Sequence, residues 1–348
     1  MPRKLALSAL LFAATLPFSA KAAENPKAVL VIHGGAGVIK RTMSAQDEAE
    51  IRAAMSTALT RGYQQLQQGK PALDAVTAAI TVLEDSPHFN AGKGAVFTHD
   101  GKNELDSSIM EGKTRRAGAV AGVHHIRNPI LAARAVMEKS SHVMLVGDGA
   151  EAFAKEQGIT LVDPSYFKTE KRWKQLQKTL NEEKRKTAFT DVEARKHFGT
   201  VGAVALDAAG GLAAGTSTGG MMNKRWGRVG DSPIIGAGTW ADERCGVSGT
   251  GWGEYYIRTH AASAVCERMK YLNEHPAQAG QAVINEEIPR LGGDGGAIVL
   301  SATGEFAFPF NTDGMFRGWI GADGIPHVAI FADEIMTGDQ RSDAGQKR

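Results

Sequence analysis

The chain has 348 residues, with 40 lysine and arginine residues against 38 aspartate and glutamate residues and a formal net charge of +2. This length is enough to bury a large core, as one large domain or as two smaller ones. Because the charges nearly balance, the composition excludes the strongly basic surface that nucleic-acid binding requires. Cys245 and Cys266 are too few for a disulfide framework. In an oxidising compartment they either pair or remain two buried thiols.

The first 22 residues have the pattern of a secretory signal peptide. Arg3 and Lys4 precede an apolar stretch, and Ala20-Lys21-Ala22 supplies a small-x-small cleavage site. The apolar stretch is too short for a transmembrane span. Its removal takes away three basic residues and no acidic one, which leaves 37 basic against 38 acidic residues and a charge of −1. We expect export, to the periplasm or beyond, and no membrane partner.

The first half of the chain combines short apolar runs with helical periodicity. The run at 28–32 predicts a buried strand that enters a glycine loop at 33–37. Apolar residues at helical spacing predict helices over 45–66 and 71–85. We then expect a loop at 84–94, a hairpin over 96–110 that turns at Asp100-Gly101, a strand at 117–123, a helix at 129–139, a strand at 143–146 and a helix at 150–157.

A charged tract separates the two halves. Fifteen of the 29 residues from 168 to 196 are charged, and few apolar residues oppose them, so we expect residues 165–199 to be flexible. Beyond it, the pattern predicts two small-residue strands joined at 208–211, strands near 244–250, a long helix at 255–270, a helix near 277–290 and three strands to 332. Central strands and paired helices favour an α+β fold with two sheets packed face to face and helices outside.

Gly199-Thr200 marks the abrupt change from the charged tract to small apolar residues. A threonine hydroxyl is a weak nucleophile without a neighbouring base, and its own α-amine is a base only if the Gly199–Thr200 bond is cut. A free α-amine has a pKa of about 7.7–8.0, so one residue would then supply both nucleophile and base. Taken alone, the segment fits an ordinary interdomain linker followed by a strand more readily.

Two other interpretations come from the glycine-rich second half. Ser217 lies in a G-x-S-x-G sequence, the nucleophile elbow of esterases, although no convincing helix follows it. Arg228 and Asp231 could hold the two ends of an amino-acid zwitterion, because a guanidinium matches a carboxylate and a carboxylate accepts from an ammonium. Without a nucleophile, that pair would make an exported, non-catalytic amino-acid binding protein. Residues 248–254 end a strand and begin a helix. The unpaired backbone N–H groups at such a helix start can stabilise an oxyanion.

As an ordered set, the motifs resemble the plant-type L-asparaginase and isoaspartyl peptidase family of N-terminal-nucleophile threonine hydrolases, also called the asparaginase 2 family. The resemblance runs from about residue 29 to residue 317. The segments that carry it are Ile32-His33-Gly34-Gly35-Ala36-Gly37, Phe89-Asn90-Ala91-Gly92, Glu104-Leu105-Asp106, Gly199-Thr200-Val201-Gly202, Thr216-Ser217-Thr218-Gly219-Gly220, Gly227-Arg228-Val229-Gly230-Asp231-Ser232-Pro233 and Pro309-Phe310-Asn311-Thr312.

The resemblance implies a four-layer αββα sandwich whose precursor cuts itself at Gly199–Thr200, into an α subunit of residues 23–199 and a β subunit of residues 200–348. The substrates would be β-aspartyl amides, namely isoaspartyl dipeptides and L-asparagine. Thr200 would be the nucleophile, oriented by Thr218. The site residues it implies besides these are Arg228 for the α-carboxylate, Asp231 and the Gly253 carbonyl for the α-ammonium, Thr250 and Gly251 for the oxyanion, and Asn90 lining the site.

The resemblance also implies a structural sodium ion, no cofactor for catalysis, and pairing of the cleaved chains into an (αβ)₂ heterotetramer. The ion would be bound by the backbone carbonyls of Leu83, Glu84, Ser86, Phe89, Ala91 and Lys93. Two features depart from the family: Trp252 stands where a small polar residue is usual, and the chain carries an export signal.

Overall fold

The computed structural model describes residues 28–37, 43–185 and 199–338. The strands within these ranges are β1 (Val29–Gly37), β2 (Leu105–Glu111), β3 (Ala117–Val123), β4 (Met144–Val146), β5 (Val201–Leu206), β6 (Leu212–Thr218), β7 (Thr239–Ala241), β8 (Cys245–Gly251), β9 (Gly295–Ser301), β10 (Phe306–Ala307), β11 (Gly314–Ile320) and β12 (His327–Phe331). The α-helices are α1 (Ala45–Gln67), α2 (Ala72–Asp85), α3 (Pro129–Lys139), α4 (Gly147–Glu156), α5 (Glu170–Arg185), α6 (Gly253–Thr259), α7 (Ala261–Tyr271), α8 (Pro276–Gly280) and α9 (Ile288–Arg290). The chain is therefore of the α+β class.

The described strands form two sheets. The larger has the order β12-β11-β1-β5-β6-β2-β3-β4, and the smaller has the order β10-β9-β8-β7. Neighbouring strands are antiparallel, apart from the parallel pair of β3 and β4. Strand β5 lies in the middle of the larger sheet, between β1 and β6. Residues 202–206 of β5 therefore have paired neighbours on both sides.

The alternation of side chains along β1 divides the core. Leu30 and Ile32 point to one face and pack with residues of α1 and α2, whereas Val31 points to the other face and packs with Ile298 and Leu300 of the smaller sheet. On the far side of the smaller sheet, its side chains pack against α7. Both sheets thus contribute side chains to one apolar cluster, and helices α1, α2 and α7 contribute to two further clusters.

The predicted helices at 45–66 and 71–85 are confirmed as α1 and α2. Ser44 caps the start of α1, since its hydroxyl accepts from the Asp47 N–H at 3.0 Å. Three other predictions need correction. The predicted hairpin over 96–110 is wrong, because β2 pairs with β3 and β6 instead. The long helix at 255–270 is two helices, since His260 takes a left-handed conformation between them. The glycine loop at 33–37 continues β1, which pairs with β11 across a bulge.

The charged tract is also more ordered than expected. Residues 170–185 form α5, and Arg172 and Leu176 are buried within it. The prediction of a flexible tract from 165 to 199 is wrong for this helix, because the buried Arg172 and Leu176 and the ring of Trp173, which packs against Phe97, dock it. The part of that prediction that concerns residues 186–198 lies outside the described residues.

Two further features of the described residues are a disulfide bond and the length and hydropathy of their helices. Cys245 in β8 and Cys266 in α7 form a disulfide bond, which links the smaller sheet to the helix that covers it. Among the described helices, none is both long and apolar enough to span a membrane.

Candidate active site

Thr200 lies immediately before β5, and three elements converge on it. Its Oγ1 donates to Thr218 Oγ1 at the end of β6 over 3.1 Å, and its backbone N–H donates to Thr250 Oγ1 in β8 over 3.2 Å. Its carbonyl oxygen accepts from the ring of His33 in β1 at 3.0 Å. Thr200 is buried, so both its hydroxyl and its backbone are fixed by named partners on three strands.

The hydroxyls of Thr218 and Thr250 have similar surroundings. Thr218 Oγ1 also accepts the Gly220 N–H at 3.0 Å, and Thr250 Oγ1 also accepts the Ala36 N–H at 3.2 Å. Each hydroxyl oxygen therefore accepts two hydrogen bonds, which uses both of its lone pairs. The O–H hydrogen of each threonine remains to be donated.

His33 is a support of Thr200 that the sequence analysis did not name. Burial lowers the pKa of His33 to about 3, so the ring is neutral. Because the Thr200 carbonyl can only accept, the hydrogen is on Nδ1, and Nε2 accepts from Ser248 Oγ at 2.9 Å. Gly202 makes room for this contact, since a Cβ there would lie 2.0 Å from Ser248 Oγ. The histidine of the quoted His33-Gly34-Gly35 motif was the signal for this role.

A single cavity joins Thr200 to the predicted substrate anchors. The residues that line it are Thr200, Thr218, Gly220, Met221, Arg228, Gly230, Asp231, Ser232 and Gly251. Most of the far wall comes from one loop between β6 and β7, residues 219–231, which we call the substrate loop. The nucleophile candidate and the two charged anchors therefore face the same space, although the anchors lie 28 and 31 residues after Thr200 in the sequence.

The charged anchors are both largely buried. Burial raises the pKa of Asp231 to about 6, although the nearby Arg228 opposes this shift. Asp231 Oδ2 is buried and has no hydrogen-bond partner among the described residues. A carboxylate left in that state favours a cationic ligand, because pairing would compensate for its desolvation.

Arg228 pairs with Glu254 of α6, through Nε to Oε1 at 2.9 Å and Nη2 to Oε2 at 2.7 Å. Burial lowers the pKa of Arg228, but the pair with Glu254 outweighs burial and raises it. The pair uses two of the five N–H donors of the guanidinium and fixes the plane of the fork. Sequence analysis missed Glu254, which is 26 residues away in a different element.

The remaining predicted site residues lie around this cavity. Gly251 lines it. Gly253 packs against both anchors, since a Cβ there would lie 2.7 Å from Asp231 Oδ1 and 2.9 Å from Arg228 Nη2. Asn90 lies one layer behind, where its Nδ2 donates to the Gly220 carbonyl at 2.7 Å. Asn90 therefore holds the cavity wall and is not among the lining residues.

The predicted cation site is the loop of residues 83–94, which we call the cation loop. A Cβ on Gly92 would lie 2.3 Å from the Glu84 carbonyl oxygen, and one on Gly94 would lie 2.0 Å from that of Phe89. Carbonyl oxygens therefore crowd the inside of the loop, and glycine is required there. A set of backbone oxygens suits a hard cation, so these residues fit the predicted ion.

The esterase interpretation of Ser217 is wrong. Ser217 is fully buried within β6, and it donates to Glu84 Oε1 at 2.6 Å. Residues 219–223 form a turn and not a helix, whereas a nucleophile elbow needs an exposed serine at a strand-to-helix turn. Burial raises the pKa of Glu84 to about 8.

The chain is similar to known proteins over most of its length. A family model described as "Asparaginase" matches residues 26–330. The chain is 48% identical over 315 residues to the isoaspartyl peptidase of Escherichia coli strain K12. The aligned residues cover 88% of this chain and 97% of that protein. It is 40% identical to an isoaspartyl peptidase/L-asparaginase of Xenopus laevis, over 88% of this chain and 96% of that one. It is 42% identical to a plant-type L-asparaginase of Pyrococcus abyssi, over 82% of this chain and 94% of that one. The chain belongs to this asparaginase family.

Proposed function

We propose that this protein is a threonine hydrolase that cleaves β-aspartyl amide bonds, in isoaspartyl dipeptides and in L-asparagine, and releases L-aspartate. The observation that carries the proposal is that Thr200, Arg228 and Asp231 line one cavity. Relatives that are named isoaspartyl peptidase or L-asparaginase, at 40–48% identity, support the same substrate class. In this arrangement the α-carboxylate pairs with Arg228, and the α-ammonium pairs with Asp231 and the Gly253 carbonyl.

The reaction begins with attack of Thr200 Oγ1 on the β-carbonyl carbon. The hydroxyl proton passes to the α-amine of Thr200, and the negative charge on the carbonyl oxygen is stabilised by the Thr250 hydroxyl and the Gly251 N–H. The C–N bond then breaks and the departing amine takes the proton. This leaves a β-aspartyl ester on Thr200. Water hydrolyses the ester, which releases L-aspartate and restores the hydroxyl. No cofactor takes part in these steps.

The α-amine must first be made, so the proposal includes autocleavage at Gly199–Thr200. Gly199 packs against the backbone of Gly35, since a Cβ on Gly35 would lie 2.5 Å from the Gly199 Cα atom. The products would be an α subunit of residues 23–199 and a β subunit of residues 200–348. They would stay together because β5 pairs with β1 of the other subunit in the middle of one sheet. We also propose the four-layer αββα arrangement and the (αβ)₂ heterotetramer.

Two parts of the proposal concern the surroundings of the enzyme. The backbone carbonyls of Leu83, Glu84, Ser86, Phe89, Ala91 and Lys93 would bind sodium, whose role would be to stiffen the cation loop next to Asn90. Residues 1–22, which lie outside the described residues, would direct export to the periplasm or the medium. The Cys245–Cys266 disulfide supports an oxidising compartment.

A denaturing gel of freshly purified protein tests the proposal directly. We expect two bands, and N-terminal sequencing of the smaller should begin at Thr200. A Thr200→Ala variant should give one band and no release of ammonia from L-asparagine. If that variant kept wild-type ammonia release, Thr200 would not be the nucleophile. A single intact band that binds L-aspartate without turnover of any β-aspartyl substrate would instead support the non-catalytic binding protein.

A further inference from the structure

Helix α5 contacts the cation loop near its N-terminal end. Arg172 is buried, and its Nε donates to the Gly94 carbonyl at 2.8 Å. The ring of Trp173 packs edge-on against Phe97, with 5.3 Å between centroids. Desolvation lowers the pKa of Arg172 to about 10. The hydrogen bond to Gly94 and the ring contact with Phe97 therefore join this end of the helix to residues 94–97.

The other end of the same helix contacts the substrate loop. Glu183 Oε1 accepts from Asn223 Nδ2 at 2.5 Å, and Oε2 accepts from Arg225 Nη2 at 2.9 Å. Glu183 lies eleven residues after Arg172, a distance of about 16 Å along a helix. One rigid helix therefore connects the cation loop to the substrate loop.

The contacted part of the substrate loop has an unfavourable backbone. Asn223 and Trp226 have φ values of 64° and 56°, in the left-handed region that costs a bulky residue such as tryptophan about 1 kcal/mol or more. Trp226 is 98% exposed, so its side chain does not hold this conformation by burial. Such a conformation persists only where surrounding contacts fix it.

The strained turn leads directly to the substrate anchor. The Arg228 N–H donates to the Arg225 carbonyl at 3.0 Å, which closes a tight turn. On the inner side of the loop, Asn223 N–H donates to the Phe97 carbonyl and the buried Lys224 donates to the Glu104 carbonyl. Glu183 accepts from the side chains of both Asn223 and Arg225, and Asn223 Oδ1 also accepts from His99 Nδ1 at 2.9 Å.

We propose that helix α5 is a brace for the substrate loop, and that Glu183 is a positioning residue that holds Arg228 in the orientation for binding the substrate α-carboxylate. This inference rests on the proposed function. Glu183 acts through Arg225 and the turn, and it does not touch the substrate. Since the α-carboxylate is bound equally in the ground state and in the transition state, loss of the brace should weaken binding and leave the chemical step intact.

The test compares Glu183→Gln with Glu170→Gln, an exposed glutamate of the same helix that pairs with Lys174. For Glu183→Gln we expect KM to rise roughly fivefold for both L-asparagine and β-aspartyl-leucine, with kcat within about twofold of wild type. Glu170→Gln should leave both constants unchanged. The exchange Glu183→Arg with Arg225→Glu should restore at least half of the lost affinity, because the ion pair is re-formed with opposite sense.

An unchanged KM in Glu183→Gln would overturn the brace. If kcat and the melting temperature fell at that constant KM, the role of Glu183 would be purely structural. If wild type turned over neither substrate, the proposed function would fail. L-Aspartate affinity, measured by calorimetry on the same variants, would then decide on the brace. Equal affinities in wild type and Glu183→Gln would refute it, and weaker binding in the variant that the charge exchange restores would support it.

Discussion

Replacement of Thr218 by valine should separate orientation of the nucleophile from substrate binding. Valine keeps the shape of threonine but removes the oxygen that accepts from Thr200 Oγ1 at 3.1 Å and from the Gly220 N–H at 3.0 Å. Thr218→Ser keeps that oxygen and is the conservative control. Ser107→Ala removes a buried hydroxyl that donates to the Thr216 carbonyl in the same sheet, without contact to Thr200.

The magnitude follows from the two lost contacts. An N–H left without a partner costs about 1–3 kcal/mol, so Thr218→Val should be less stable by that amount. Correct placement of a nucleophile and its proton typically contributes a factor of about 10² or more to the rate. We therefore expect kcat to fall about 100-fold, equivalent to about 2.7 kcal/mol, while KM changes little because Arg228 and Asp231 are untouched.

The assay is ammonia release from L-asparagine, normalised to the fraction of chain that is cut at Gly199–Thr200. Thr218→Ser should keep at least a third of wild-type kcat, and Ser107→Ala should lose stability but not rate. If Thr218→Val kept more than a third of wild-type kcat in its processed fraction, the hydroxyl of Thr218 would have no part in orienting Thr200, and the contact at 3.1 Å would be structural only.

Further predictions concern groups around the cavity. Ser217→Ala should keep its activity but lower the melting temperature, because Glu84 loses the hydroxyl that donates to it. An inactive Ser217→Ala variant would instead support the esterase interpretation. Binding of L-aspartate to Thr200→Ala, measured by calorimetry, should weaken as the pH falls through about 6, the raised pKa of Asp231, because the ammonium needs the ionised carboxylate; affinity independent of pH between 5 and 8 would contradict that pairing. Reduction of the Cys245–Cys266 bond, which closes 21 residues, should cost about 3 kcal/mol in a denaturant titration, and no loss would show that the bond is dispensable. Trp252→Thr should lower kcat/KM for β-aspartyl-leucine but not for L-asparagine, whereas a dipeptide that only the threonine variant cleaves would show that the ring closes the pocket.

Sequence analysis named the residues that line the cavity better than it named the residues that support them. Thr200 stood out because composition changes abruptly there, and the spacing of Arg228 and Asp231 in a glycine-rich loop pointed to a zwitterion. His33, Ser248 and Glu254 were missed as supports. Each acts through a partner on another element, and such pairings depend on how the strands and helices come together, which local patterns do not report.

The prediction for the residues of helix α5 was wrong for a different reason. Their charge content matched that of a flexible tract, with 15 charged residues among the 29 from 168 to 196. One of the contacts that dock the helix is made by the buried Arg172, whose Nε donates to the backbone carbonyl of Gly94. A composition-based argument counts a buried arginine as evidence against packing, because it cannot know that a carbonyl oxygen will be in position to accept from it.

The hydrogen-bond roles of Thr250 connect the proposed self-cleavage to the proposed hydrolysis of substrate. In the uncut chain, Thr250 Oγ1 accepts from the N–H groups of Ala36 and Thr200. With both lone pairs used, its O–H hydrogen is available to an oxygen in the cavity, and this is the donor that a developing oxyanion needs. The same geometry would serve the carbonyl of Gly199 during self-cleavage and the β-carbonyl of the substrate afterwards. We infer that one set of donors stabilises both tetrahedral intermediates, so that a change at Thr250 should slow processing and turnover together, whereas a change at Arg228 should slow turnover alone.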